Sequence, residues 1–398
     1  MIQSPYSPGS LPVYLAGRGH ELQVVRDRLA RVEALGRSGG PLLAFYGPRG
    51  YGKTSLLRAA QREALADGYL TVWVTGREDA PLAPDLAGAL AEEVRDSSLL
   101  AQASALLASL DKVQVELGVP GAKITADTAA RRPGDAIEGS LKQAAQLARQ
   151  HDRHGLAVFV DEFQDAPTAD RRSLLIALQH FDGAPKGQPV AVIAAGLPAL
   201  PSAVTAAATF GERSDFHELR LLNDVATVEA LKLPAAQLGV HWAQEALEYA
   251  IEATRGYPHE IQLLGEATWN VARPAQGDTI TIGHVRSGQE TAERRMDQLF
   301  QARIAKTTDD QRRLLDAMAS LGDGPATRGS IAALLGVPTE ALSRPRQELI
   351  GRGLIEPAGH GRLQFTVPGF AAFLRGQTED TLELETQPDR RGTGYSAE

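Results

Sequence analysis

Gly47-Pro48-Arg49-Gly50-Tyr51-Gly52-Lys53-Thr54 is the stretch on which the fold turns. It fits G-x-x-x-x-G-K-[ST], a loop that wraps phosphates, and about 0.007 chance matches are expected in a chain of this composition. Its surroundings agree. Leu42 to Tyr46 is a short apolar run that reads as a buried parallel strand, and Thr54 to Leu65 reads as a helix. A glycine-rich turn between strand and helix lets the backbone curl until successive N–H groups face one anion. The N-terminus of the following helix adds its dipole. Gly47, Pro48, Arg49, Gly50, Tyr51, Gly52, Lys53, Thr54 and Ser55 are therefore the expected nucleotide-binding loop. Lys53 would reach the β- and γ-phosphates, and the Thr54 hydroxyl would ligate Mg²⁺.

Downstream, Leu156-Ala157-Val158-Phe159-Val160-Asp161-Glu162 is an apolar run ending in two carboxylates. This is the Walker B pattern. Asp161 would hold the Mg²⁺ shell, and Glu162 would orient and deprotonate the attacking water. A Glu directly after the Asp points to ATP hydrolysis rather than to the small GTPases, and no NKxD-type guanine signature is present.

The remaining pattern places these motifs in an α/β sheet. Tyr69–Val74, Val190–Ala194 and His217–Leu221 read as further strands. Helices are expected over 21–35, 84–110, 136–150 and 171–180, with a small hairpin of 113–117 and 122–126 around Pro120-Gly121. Strands alternating with helices predict a parallel sheet covered on both faces. After Leu222 the strands stop, and 223–305 reads as an all-helical lid. The expected division is 1–222 for the P-loop ATPase domain, 223–305 for the lid, 306–375 for a third domain and 376–398 for a disordered acidic tail. Residues 1–12, rich in Pro and Ser, read as loose.

The third domain has its own signature. Gln311–Leu321, Gly329–Leu335 and Glu340–Gly351 read as three helices, with Pro345 bending the last or moving its start to Ser343. Leu354-Ile355 and Leu363–Val367 then flank the turn Ala358-Gly359-His360-Gly361-Arg362. That order is a winged helix. Arg344, Arg346, Arg352 and Arg362 are the residues that could meet DNA phosphates and base edges. Yet 309–375 holds eight basic and seven acidic residues, so a protein-binding or internal role stays equally open.

Pro12-Val13-Tyr14-Leu15-Ala16-Gly17-Arg18-Gly19-His20-Glu21-Leu22, the P-loop and Asp161-Glu162-Phe163-Gln164 together resemble the AAA+-type ATPases of the replication-initiator (origin-recognition-like) and STAND clades. The resemblance runs from about Leu15 to Leu374. It implies that Leu15 and Arg18 border the adenine. It implies an arginine finger at Arg213, within Phe210-Gly211-Glu212-Arg213-Ser214, often acting across a subunit interface; the alternative is a surface ion pair with Glu212 or Asp215. Gly256-Tyr257-Pro258-His259 resembles the lid motif in which Pro258 packs near the base. His259 stands where relatives carry a sensor arginine. The strand 190–194 ends in Ala195-Gly196-Leu197-Pro198, without the Asn or Thr of a first sensor.

Composition narrows the rest. The 398 residues are 43% hydrophobic and 23% charged, enough for packed cores. With no Cys, disulfide scaffolds, thiolate zinc sites and cysteine nucleophiles are excluded. His259-Glu260 starts like a zincin motif but continues to Leu263, so that reading fails. No apolar span is long enough for a membrane helix, and the first residues lack a basic start and an apolar core. A soluble cytoplasmic protein is expected. Of the net charge of −8, the segment from Gly376 to Glu398 carries six acids against two bases, so no global basic footprint for nucleic acid exists. The expectation is an ATPase using ATP and Mg²⁺, acting on double-stranded DNA in replication, transposition or mobile-element maintenance. Self-association or another protein partner is expected, and the alternative is a STAND-like signalling or defence ATPase.

Overall fold

A computed structural model describes residues 2–96, 133–184 and 187–377. The hairpin expected at 113–126, the end of the helix expected over 84–110 and the tail beyond 377 lie outside the described residues. The chain divides into two compact units, Met1–Gln289 and Glu290–Glu398. The division falls inside a long helix rather than at the expected 305/306.

In the first unit five parallel strands form one sheet: β1 (Leu43–Tyr46), β2 (Leu70–Thr75), β3 (Leu156–Asp161), β4 (Val190–Gly196) and β5 (Asp215–Glu218). Their order is β2-β3-β4-β1-β5. Side chains alternate across the sheet, as the pleat demands. Leu43, Phe45, Phe159 and Ile193 face one way, onto Val25 and Leu29 of α1 (Gly19–Leu35) and Leu56 and Leu57 of α2 (Lys53–Ala66). Leu42, Ala44, Val158, Val160 and Val192 face the other way, towards α3 (Leu82–Asp96), α4 (Pro133–Gln150), α5 (Thr168–Asp182) and α6 (Leu200–Ala207). Both faces are dry, which is why these strands read as continuous apolar runs. The fifth strand starts two residues before the expected His217, because Asp215 pairs with Leu43 and Glu218 with Tyr46.

The strand order does the positioning. β3, β4 and β1 are neighbours, so the loops leaving Asp161, Gly196 and Tyr46 emerge side by side at one edge. Open parallel sheets bind ligands at this carboxyl edge.

After β5 come α7 (Asp224–Gln237), α8 (Gln244–Thr254), α9 (Pro258–Ala272) and α10 (Ile282–Ile304). Asn223 caps α7, its side chain accepting from Ala226 N. The expected all-helical lid also carries a short parallel ladder, β6 (His241–Trp242) against β7 (Thr279–Ile280). The segment 2–7 is held and not loose. Tyr6 is 3% exposed, and its ring stands edge-on to Trp242 and Trp269. Its hydroxyl donates to Leu231 O at 2.5 Å and accepts from Trp242 Nε1 at 2.9 Å. Trp269 Nε1 donates to Ile2 O, and Ser7 N donates to Gln262 Oε1. Burying one aromatic outweighs the flexibility that Pro/Ser composition suggests.

In the second unit α11 (Asp309–Ser320), β8 (Ala326–Thr327), α12 (Arg328–Leu335), α13 (Ser343–Gly351), β9 (Ile355–Pro357) and β10 (Arg362–Phe365) follow in turn. The strands form an antiparallel sheet of order β8-β10-β9. Pro345 sits in the first turn of α13, where its missing N–H has no helical acceptor. Residues 370–377 are helical, so helix runs past the expected start of the tail. Phe300, from the end of α10, stacks on Phe370. No helix among the described residues is long and apolar enough to cross a membrane.

Candidate nucleotide site

The P-loop leaves β1 at Gly47 and enters α2 at Lys53, with Gly50 and Gly52 both at positive φ. Gly50 has a second constraint. A Cβ there would lie 2.1 Å from the Tyr257 hydroxyl, which donates to Arg49 O at 3.0 Å. Tyr257 is fully buried, its ring edge-on to Tyr51, and so couples the start of α9 to the loop. Lys53 Nζ donates to Gly47 O and Pro48 O, both at 2.9 Å, folding the ammonium inside the loop.

Thr54 Oγ1 donates to Asp161 Oδ2 at 2.7 Å. Burial pushes the Asp161 carboxyl above its usual range, and the Thr54 bond works against this. Hydroxyl and carboxylate are hard oxygen donors, a set that fits Mg²⁺. Glu162 follows in a left-handed conformation (φ 47). Its Oε2 accepts from Gln164 Nε2 at 2.8 Å. Arg171, 8% exposed, donates to Gln164 O at 2.7 Å and to Ala166 O, fixing the loop from beneath.

A cavity of about 480 Å³ joins these parts. The P-loop, Thr54, Ser55, Arg58 and Glu162 line one side, and Leu15, Ala16, Pro258, His259, Ile261 and Gln262 line the other. Residues 9–12 border it as well, so the N-terminal segment runs from the Trp242–Trp269 pocket to the cavity wall. Arg18 lines the cavity too, but its guanidinium serves the protein. It is 4% exposed, donates to Tyr51 O at 3.0 Å and Arg220 O at 2.7 Å, and lies 3.6 Å from Glu21.

Other expected residues lie elsewhere. Arg213 ends a 3₁₀ turn (Thr209–Arg213) ahead of β5, at the end of that strand away from the P-loop. It is exposed and makes no ion pair with a described residue. The alternative pairing forms with neither Glu212 nor Asp215; Asp215 pairs instead with Arg28 at 3.1 Å.

In the second unit Arg344 is exposed and pairs with Glu348 at 2.8 Å, Arg346 is half-buried, and Arg362 is exposed at the start of β10. Arg352, counted among the possible DNA contacts, has different work. It donates to Lys306 O at 2.9 Å, Gln311 Oε1 at 2.8 Å and Arg303 O at 3.2 Å. Arg303 O belongs to the last turn of α10, where the helix leaves acceptors open, while Lys306 lies just past it and Gln311 in α11, so the guanidinium links the two helices.

Sequence reasoning missed three participants: Gln164, Tyr257 and Tyr6. Gln164 stood inside a quoted motif and Tyr257 beside Pro258, yet neither has a pattern that gives it a partner. The only signal at Tyr6 was an aromatic in an otherwise polar segment.

The parallel strand order, the P-loop and the paired carboxylates are those of a P-loop NTPase fold. Residues 14–193 match the family described as AAA ATPase domain, so the chain carries that domain. Residues 297–374 match a second family, described as Domain of unknown function (DUF8462). Among solved structures the chain is similar to the Walker-type ATPase PABY2304 of Pyrococcus abyssi (15% identity, TM-score 0.63, 93% of this chain and 98% of that chain covered). It is also similar to the ORC2 protein of Aeropyrum pernix in its ADPNP–ADP complexes (13% identity, TM-score 0.59, 95% and 98% covered). At these identities the likeness is one of fold, and it spans nearly the whole chain. No curated protein sequence matches.

Proposed function

We propose that the chain is an ATP-hydrolysing switch or motor acting on double-stranded DNA through a C-terminal winged helix. The observation that carries the catalytic half is the convergence of Thr54, in the first turn of α2, with Asp161 and Glu162 at the end of β3. The P-loop amides and Lys53 would cradle the β- and γ-phosphates. Thr54 and Asp161 would hold Mg²⁺, which when bound offsets phosphate charge. Glu162 would orient the attacking water and take its proton, leaving ADP and phosphate. Leu15, Ala16, Pro258 and Ile261 would enclose the base. Arg213 would serve the nucleotide of another copy, since its position is remote from its own P-loop.

The DNA half rests on the order of elements in 309–365 and on exposed Arg344 and Arg362, with Arg346 beside them. These cations would meet phosphates. A second reading, a STAND-like ATPase whose winged helix contacts protein, is favoured by one observation. Arg344 is paired with Glu348 and Arg352 is spent on carbonyl oxygens, which leaves little free positive charge. Anisotropy of a labelled duplex, titrated with the full chain plus ADP or a non-hydrolysable ATP analogue at several salt concentrations, separates the two. Salt-dependent binding that strengthens with the analogue and weakens in R362A supports DNA. No binding at low salt overturns it in favour of a protein target.

A further inference from the structure

At the C-terminal end of β4 the chain reads Ala195-Gly196-Leu197, so no polar side chain of β4 itself reaches the adjoining Walker B loop. A neighbouring loop supplies one. Gln164 Oε1 accepts from Leu197 N at 2.9 Å, and Gln164 Nε2 donates to Glu162 Oε2 at 2.8 Å. One amide, with both ends engaged, ties the end of β4 to a carboxylate that lines the nucleotide cavity. Gly196 makes the room: a Cβ there would sit 2.1 Å from Gln164 Oε1. Arg171 Nη1 donates to the Gln164 main-chain carbonyl at 2.7 Å. Glu162 itself has a left-handed backbone, which non-glycine residues adopt only where surrounding contacts impose it.

We propose that Gln164 is a positioning residue for hydrolysis: it holds one Glu162 oxygen against the end of β4 and leaves the other to receive the proton of the attacking water. The proposal rests on the hydrolytic reading above. A general base must stand within hydrogen-bond reach of its proton, and an unanchored carboxylate samples many rotamers. The amide supplies the anchor without adding charge.

The test is steady-state turnover, with ATP affinity and melting temperature measured separately, in Q164E, G196A, Q164A, E162Q and E162Q/Q164A. Q164E keeps an acceptor for Leu197 N but replaces the donor to Glu162 with an oxygen. G196A keeps Gln164 and displaces its flexible tip, so the chain should fold. Both should lose about tenfold or more in kcat while ATP affinity and melting temperature hold. Q164A should lower kcat in the wild-type background and add nothing in E162Q, because a residue that acts through Glu162 then has nothing to act on. If Q164E and G196A turn over within about twofold of wild type while E162Q is inactive, the proposal falls and hydrolysis stands. Additive losses in the double variant also overturn it. A wild type that binds ATP without turnover overturns the hydrolytic reading and the proposal together.

Discussion

Lys53 is buried and bonded to two P-loop carbonyls, so its ammonium is already desolvated where phosphates would sit. Charge-assisted hydrogen bonds contribute roughly 1.5–3 kcal/mol each, so two of them correspond to about 10²-fold or more in affinity. K53A should therefore weaken ATP binding at least that far in a calorimetric titration. Near-normal affinity would count against the P-loop assignment. Glu162 makes the opposite prediction. E162Q preserves shape and can still bond Gln164, but it cannot accept the water's proton. ATP affinity should hold while phosphate release slows by ~10²–10⁴-fold. Turnover within a few-fold of wild type would remove Glu162 from the role of base.

At the scale of the element, the segment before α1 and the last turn of α10 make comparable arguments. Tyr6 joins residues 2–7 to α7, β6 and α9 through two hydroxyl hydrogen bonds and two aromatic contacts. Y6F strands Trp242 Nε1 and Leu231 O without their partner, which should cost about 1–3 kcal/mol. Thermal unfolding reads that loss. Because the same segment continues along the cavity, ATP affinity should fall in parallel. A lower melting temperature with unchanged affinity would show that the segment supports the helices alone. Arg352 ties the end of α10 and the residues after it to α11 with three hydrogen bonds. R352A should lower stability by about 1–3 kcal/mol and leave any duplex affinity unchanged. Full stability with lost DNA binding would return Arg352 to the DNA face.

For the whole molecule the question is whether the site is complete in one copy. Arg213 is exposed, unpaired with described residues and at the wrong end of β5 for its own P-loop. A finger supplied by a neighbour can contribute ~10³–10⁵-fold in kcat. Specific activity should then rise with protein concentration, and R213A should keep ATP while losing turnover. Mixing R213A with K53A should restore part of the activity, since one copy keeps an intact pocket and the other supplies the guanidinium. Concentration-independent turnover, or a mixture no more active than its parts, rules out the trans role.

The sequence by itself determined the parallel sheet, the P-loop, the Asp161–Glu162 pair and, in 309–365, the helices and last two strands but not the short strand β8. Each is local: a run of apolar residues, a turn that needs glycine, or carboxylates that end a strand. Local patterns are legible because backbone sterics and period-2 burial act over a few neighbouring residues. What only the tertiary structure decided is who meets whom across long stretches of chain. Tyr6 against Trp242, Tyr257 against Arg49, Gln164 between Glu162 and Leu197, and Arg352 against the end of α10 all depend on contacts between separate elements. Composition marked residues 1–12 as loose, and spacing could not show that Arg352 reaches carbonyl oxygens, because neither contains the partner. A hydrogen bond or a buried ring draws its energy from the group opposite, and that group's position is set only when the sheet and helices close around it.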